Sequence, residues 1–530
     1  MVVLFMETRS MRSRHVLPRV AGLAVVVLMV PTTGACDGEP PAPAAEPDVV
    51  VGTVPPSAPP ARRGVTPSPA PLRGSEAWRL RHRADGQIEG YAAPVAGPPG
   101  TRVSLRVSTG EPSYHVEVYR IGAYRGGTGR RVWTSPRLLG ERQAEPVMHP
   151  AETRTVVAPW HESLALDTSE FVPGVYLVKL VTRSGLQAAV PYVVTSPTVE
   201  GKVVVVAPVA TWQAYNRWGG YSLYHGPEGD RRAWRVSFDR PYLGDGMGEV
   251  GFGIAPVAMA AERTRAPLAY LTDLDLHADP GALDGAEGYV SAGHDEYWTP
   301  EMRATVERAR DHGTDLAFLG ANTMYWRIRL EPSSLGPRRV VVGYRGDAFE
   351  DPERDPVRVT GRFRDAPAAS SERGLVGMEY ECFPVDADFR VASPRWWGFR
   401  GTGVRAGTAF PHLVGDEADR VYPGGGTPQP LQVLAHSPYT CGGVPTSAQA
   451  TWYTARSGAG VFASGTLRWT CSLTPGCFGL PVPERTRTFV QRVTQNLVTG
   501  FALGRAGARH PAQDDMSAYA LPRENQVPPS

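Results

Sequence analysis

A change in strand style near Gly201 constrains this chain more than any other feature. Upstream, residues 103–107 (VSLRV), 115–119 (HVEVY), 175–181 (VYLVKLV) and 188–194 (AAVPYVV) alternate or run apolar between Gly/Pro turns. That is the period-two pattern of strands. No stretch from about Glu76 to Pro197 carries a 3.6-residue stripe, so residues 76–198 are expected to form an antiparallel β-sandwich. Downstream, Val203-Val-Val-Val-Ala207 is an unbroken apolar run, as in a parallel strand buried on both faces. Residues 268–272, 288–291, 316–319 and 460–463 repeat that style. Between two of them the sequence signals a helix: Thr299 as cap, Pro300 in the first turn, Glu301 at the positive end of the dipole, and Gly313 as the stop. Strand, helix, strand at this spacing is a βαβ unit. Residues 199–504 are therefore expected to form an α/β domain built on an open, mainly parallel sheet.

The ends read differently. Arg9, Arg12, Arg14 and Arg19 precede an apolar run over residues 20–30, and Thr33-Gly34-Ala35-Cys36 follows. The run is about 11 residues, too short for a spanning helix, which needs ~20. Residues 1–35 fit a lipoprotein-type signal peptide, with Cys36 as the lipidated residue. The expectation is export to the cell envelope and anchoring on the outer face of the plasma membrane; plain secretion is the alternative. Residues 36–75 are Pro- and Ala-rich and suit a disordered tether. Residues 505–530 read as a disordered tail. The formal net charge is only +2, with no block of like charge beyond the N-terminus, which argues against a nucleic-acid partner.

An exported chain meets an oxidising compartment, where disulfides persist. Beyond Cys36 four cysteines remain, Cys382, Cys441, Cys471 and Cys477, which allow three pairings. Cys471 and Cys477 flank a Pro-Gly turn and are expected to bridge, leaving Cys382 for Cys441. The rival is a four-thiolate zinc site, against which the absence of C-x-x-C spacing counts.

Ligands of open α/β sheets gather at the carboxyl ends of the strands. After the first strand comes TWQAYNRWGG, with Tyr215; after Ser291 comes GHDEYW, with His294, Glu296 and Trp298; after Leu319 comes GANTMYW, with Asn322 and Trp326. His294 and Glu296 are two apart, so an extended segment points both to one side. Alone, His-x-Glu reads equally as helix capping and a carbonyl-bonded histidine, Tyr215 as a boundary aromatic and Asn322 as a turn former. Their meaning comes from convergence on one sheet edge. No G-x-S-x-G and no cysteine elbow follows a strand, which argues against a covalent nucleophile.

Four strings, YHVEVYRIGAYRG, TWQAYNRWGG, SAGHDEYW and LAFLGANTMYWR, occur in an order and spacing that resembles the N,N-dimethylformamidase large (beta) subunit family over about residues 90–500. The resemblance implies a β-sandwich followed by a domain similar to class I glutamine amidotransferases. It also implies a mononuclear ferric iron held by two tyrosines and one glutamate, in an enzyme that hydrolyses linear amides. Carried over, Glu296 and Tyr215 match two ligands. Tyr176, in Pro173-Gly174-Val175-Tyr176, is taken for the third, with Tyr224 as fallback. His294 and Asn322 match pocket residues, Glu417 a second carboxylate, and Arg345 stands where the family has a lysine. Trp298 and Trp326 are expected to line the substrate pocket. On this reading Glu417 or His294 acts as general base, and Asn322 donates to the developing oxyanion. The family enzyme also works with a small partner subunit; a homo-oligomer is the other assembly to expect. The rival reading is a non-catalytic envelope module on the same fold, binding carbohydrate through Trp212, Trp218, Trp298 and Trp326. A hydrolase of a larger substrate is a third.

Overall fold

Val203–Ala207 lies inside a seven-stranded sheet with both of its faces covered. The computed structural model describes residues 72–519, except 228, 230, 245, 247 and 249–252. The expected signal peptide, Cys36, the tether up to residue 71 and the tail from residue 520 lie outside the described residues.

The first part of the chain forms β1 (Ile88–Ala93), β2 (Arg102–Thr109), β3 (Ser113–Tyr124), β4 (Gly127–Thr134), β5 (Leu164–Asp167), β6 (Gly174–Thr182) and β7 (Gln187–Val194). They pair as two antiparallel-paired groups, β1-β2-β5 and β7-β6-β3-β4. Val103 and Leu105 of the first share a core with Val116, Val178 and Val190 of the second. The near-continuous apolar runs of β6 and β7 reflect burial on both faces, with Tyr176 and Val178 in this core and Val175 and Leu177 in another.

The second part contains β8 (Val203–Ala207), α1 (Val209–Tyr215), α2 (Ala255–Glu262), β9 (Leu268–Thr272), β10 (Gly288–Ser291), α3 (Pro300–His312) and β11 (Asp315–Phe318). It continues through β12 (Glu379–Arg390), β13 (Ala409–Arg420), β14 (Leu431–Cys441), β15 (Val444–Thr454), β16 (Gly460–Ala463) and α4 (Glu484–Phe501). The large sheet has the order β9-β8-β10-β11-β16-β15-β14. Its first four pairings are parallel and its last two antiparallel. Val203, Val205 and Ala207 face one core while Val204 and Val206 face the other, which is why this strand tolerates no polar position. The described residues thus form a strand-rich α/β protein of several sheets and few helices, with no closed barrel.

Helix α3 starts and stops where its signals stand. Thr299 Oγ1 accepts from the Met302 amide at 3.1 Å, and Gly313 has φ 108°, a left-handed stop that a side chain would strain. Both expected disulfides, Cys382–Cys441 and Cys471–Cys477, are formed.

The first part keeps a core of its own and also packs on the second: Tyr119, Ile121, Val175 and Leu177 belong to the same apolar cluster as Val203, Val257 and Phe462. One feature differs from the sequence reading. The segment 505–519 is not a loose tail. Ala506 donates its amide to Asp315, Asp515 Oδ1 accepts from the Val433 amide at 2.7 Å, and Met516 is buried. Its polar composition hid a segment held by hydrogen bonds to a sheet edge rather than by apolar periodicity.

Candidate metal centre

The site is built at the carboxyl ends of β8, β10 and β11, where the strand order turns from β9 on one side of β8 to β10 on the other. After β8 the chain enters α1 directly. The buried Asp273 carboxylate accepts the Ala210 amide at 2.8 Å, satisfying one of the orphan donors of the helix start. Thr211 Oγ1 accepts from the amides of both Glu296 (3.0 Å) and Tyr297 (3.1 Å), which fixes α1 against the segment after β10. Tyr215 is the last residue of α1. The chain then returns so that the Leu223 amide donates to Ala214 O at 3.0 Å, and Tyr224 lies on Tyr215 with ring centroids 4.4 Å apart.

After β10, side chains alternate. Asp295 turns inward and accepts from Ser291 Oγ and Trp298 Nε1, both at 2.7 Å. His294 and Glu296 turn to the pocket, with His294 Nε2 3.5 Å from Glu296 Oε2. After β11, Asn322 adopts φ 58°, a left-handed conformation asparagine tolerates better than most residues. Its amide nitrogen donates to Glu296 Oε1 and Glu417 Oε1, both at 3.1 Å, while its backbone N–H goes to Asp419 Oδ1. Glu417 arrives from β13, outside the large sheet, and its Oε2 is 3.3 Å from His294 Nε2.

The centre of this arrangement is a triangle of oxygens. Tyr215 Oη is 2.6 Å from Glu296 Oε2, Tyr224 Oη is 2.7 Å from Glu296 Oε1, and the two phenol oxygens are 2.9 Å apart. Glu296 is 2% exposed. Tyr224 Oη is also 2.8 Å from Glu296 Oε2, so four close oxygen contacts share two phenolic hydrogens unless the carboxyl carries a third. Burial, with the Glu417 charge adding to it, holds the Glu296 carboxyl above the usual carboxylate range, against the pull of His294 and Arg345. Burial, reinforced by the Glu296 charge, also holds both phenols well above the ordinary tyrosine value. The cluster therefore either keeps its protons or exchanges them for a cation. Three hard oxygen donors in a dry site fit a small, highly charged metal ion. His294, Glu296 and Glu417 form a second candidate set, with one donor atom from each lying within 4.8 Å of the others.

Residues 115–479, more than half of the chain, match the family described as N,N-dimethylformamidase beta subunit-like, C-terminal. The chain belongs to this family. No curated protein matches it. Among solved structures, a Paenibacillus sp. cycloisomaltooligosaccharide glucanotransferase complexed with cycloisomaltoheptaose is similar at 9% identity and a TM-score of 0.15, over 46% of this chain and 28% of that one. So low a likeness carries no argument.

Within this dimethylformamidase-like chain, several residues singled out in the sequence are placed elsewhere or act differently. Tyr176 is on β6, stacked on Phe171 in the core of the antiparallel sheets, and donates its hydroxyl to Val172 O at 2.6 Å. It does not reach Glu296, and Tyr224 holds that place. The nearby Ser222 could have signalled this, since its Oγ accepts the Tyr224 amide in a turn that returns the chain to α1. Trp298 faces the opposite core and is held by Asp295, so it does not line the pocket. Asn322 spends its amide hydrogens on two carboxylates and so orients them, rather than offering a donor to a substrate oxygen. Arg345 does not project as a free cation. Its guanidinium carbon lies 3.7 Å from the Tyr224 ring centroid and 4.7 Å from that of Trp326, and Nη1 donates to Leu223 O. Trp212, Trp218, Trp298 and Trp326 are all buried, so none presents a stacking platform to solvent.

Proposed function

We propose that this chain is an exported, metal-dependent hydrolase of amide C–N bonds in linear amides, with a single ferric ion held by Tyr215, Tyr224 and Glu296. The observation that carries the reading is the buried triangle of two phenol oxygens and one carboxylate. Membership of a dimethylformamidase-like family supports it, as does the position of the triangle at the carboxyl edge of a parallel sheet. The order and direction of that sheet support a glutamine amidotransferase-like architecture, and the shared core of the antiparallel sheets supports a β-sandwich. Export rests on residues 1–36, with the two disulfides in support.

When bound there, ferric iron supplies Lewis acidity that polarises the amide carbonyl and acidifies water. The protein supplies the rest. Glu417 takes a proton from the attacking water as its oxygen bonds the carbonyl carbon, and His294, 3.3 Å away, orients that carboxyl group. The proton passes to the amide nitrogen as the C–N bond breaks, leaving a carboxylic acid and an amine. Asn322 keeps the two glutamates apart at fixed spacing through this transfer.

The test is metal analysis and visible absorption of iron-replete protein, with assay on a panel of linear amides. Stoichiometric iron and a tyrosinate-to-iron charge-transfer band, weakened and shifted in Tyr215→Phe and lost when Tyr224→Phe is added, are the expected result. A colourless protein holding zinc would move the metal to His294, Glu296 and Glu417, and one that takes no metal would favour a ligand-binding module. Membrane fractionation of Cys36→Ser checks the anchor: the variant should leave the membrane pellet.

A further inference from the structure

The loop from Asn216 to Leu223 connects the two tyrosines, so its shape sets how their hydroxyls meet. Gly219 and Gly220 turn it with φ 73° and 92°, and a side chain on Gly219 would come within 2.5 Å of Val156 Cγ1. Most backbone carbonyls of such a turn would face water. Here three of them face one side chain. Arg240 Nη2 donates to Asn216 O at 2.8 Å, and Nη1 donates to Trp218 O at 3.0 Å and Tyr221 O at 2.9 Å. Asn216 adds to the lock, donating to Pro241 O at 2.8 Å and accepting the amides of Trp218 and Leu243 at 3.1 Å.

Arg240 is 1% exposed, and among the described residues its hydrogen-bond partners are carbonyls, with no carboxylate. Burial presses its pKa down to about 9. Removing a charge from water in this way is costly, and the three carbonyl dipoles offset part of that cost. A guanidinium fork can reach three acceptors at once, whereas an ammonium is a compact point donor.

We infer that Arg240 is a positioning residue for the metal centre: it fixes the loop between Tyr215 and Tyr224 so that both hydroxyls close on Glu296. The inference rests on the metal-centre reading above. Loss of such an outer partner typically costs about 10–100-fold in metal affinity.

The experiment compares Arg240→Lys with Arg339→Lys. Arg339 is equally buried and bonds Asp239 and Phe238 O, beside Arg240 in the chain, but bonds nothing in the loop. Two quantities are read: ferric-ion affinity with the position of the visible band, and backbone hydrogen exchange of Gly220, Ser222 and Leu223 in metal-free protein. Arg240→Lys is expected to weaken ferric binding about 10–100-fold, shift the band, and speed loop exchange at least about 10-fold, while Arg339→Lys moves neither beyond its effect on overall stability. Equal behaviour of the two variants overturns the inference and leaves the metal centre standing. A wild type that binds no ferric ion removes the metal-centre reading, and the exchange comparison still decides whether Arg240 holds the loop. Should Arg240→Lys not fold, exchange in the wild type decides: loop amides as protected as those of Val203–Ala207 support the clamp, and opening about 100-fold more frequent than the core overturns it.

Discussion

Tyr224, partly buried, and Tyr176, fully buried, place their hydroxyls against different groups. Tyr224 donates to a carboxylate inside a cluster of shared protons, while Tyr176 donates to a lone backbone carbonyl in the core of the antiparallel sheets. Tyr224→Phe should therefore weaken and shift the visible band, leaving only the Tyr215 contribution, and reduce amide hydrolysis by at least about 100-fold, with little loss of fold, since the ring and its packing remain. Tyr176→Phe should leave metal content unchanged and lower stability by about 1–2 kcal/mol, the cost of stranding Val172 O. Metal analysis and denaturant unfolding of the two variants separate the cases; iron loss in Tyr176→Phe would contradict the placement. The sequence made Tyr215, His294, Glu296 and Asn322 legible because each follows a strong apolar strand. It could not choose between Tyr176 and Tyr224, because either choice depends on where a turn returns. That turn is set by Arg240 and paired glycines, contacts between residues that no local period reveals.

At the scale of elements, legibility follows how local the determinant is. Val203–Ala207, Leu268–Thr272 and Gly288–Ser291 were readable to the residue because burial on both faces makes each an almost unbroken apolar run, with Thr272 and Ser291 only at the carboxyl ends. Helix α3 was readable because its cap and stop are chemical necessities of the helix ends. Thr299→Ala should thus cost about 1–2 kcal/mol, since Oγ1 is buried, accepts the Met302 amide, and contacts His277 Nδ1. Urea unfolding of the variant checks this. Its ferric band should persist, because the triangle is anchored through Thr211 and α1 rather than through the start of α3. By contrast, β12 and β13, which deliver Glu417, were not legible as strands. Their pairing slips at Tyr380/Cys382, Cys382/Val385 and Ala387/Phe389, and each slip resets the alternation on which a period-two reading depends.

At the scale of the whole molecule, the two halves and the C-terminal segment are joined by buried polar groups rather than by apolar surface alone. Asp315 is the clearest case. Fully buried at the start of β11, it accepts the Gly460 amide at 2.7 Å and the Ala506 amide at 2.8 Å, tying β16 and the C-terminal segment to the sheet. Burial pushes its carboxyl from 3.8 up to about 7, with the amide bonds opposing. The sign of the consequence follows from proton counting. Between pH ~4 and ~7 the folded chain keeps a proton that the unfolded chain has released, so this group's contribution to stability falls as pH rises through that window. In Asp315→Asn no proton is exchanged there. The variant loses one acceptor, a cost of about 1 kcal/mol that is independent of pH. Relative to wild type it should be less stable near pH 4.5 and gain on it steadily toward pH 7.5, by an amount bounded at roughly 4 kcal/mol, one pKa unit being worth about 1.4 kcal/mol. Other titrating groups, including the histidines, are common to both proteins and cancel in the difference. Denaturant unfolding of the pair at several pH values reads that difference directly. A gap that stays flat from pH 4.5 to 7.5 would mean that Asp315 is ionised in the folded protein, and that the C-terminal segment is held by a charge instead of by a shared proton.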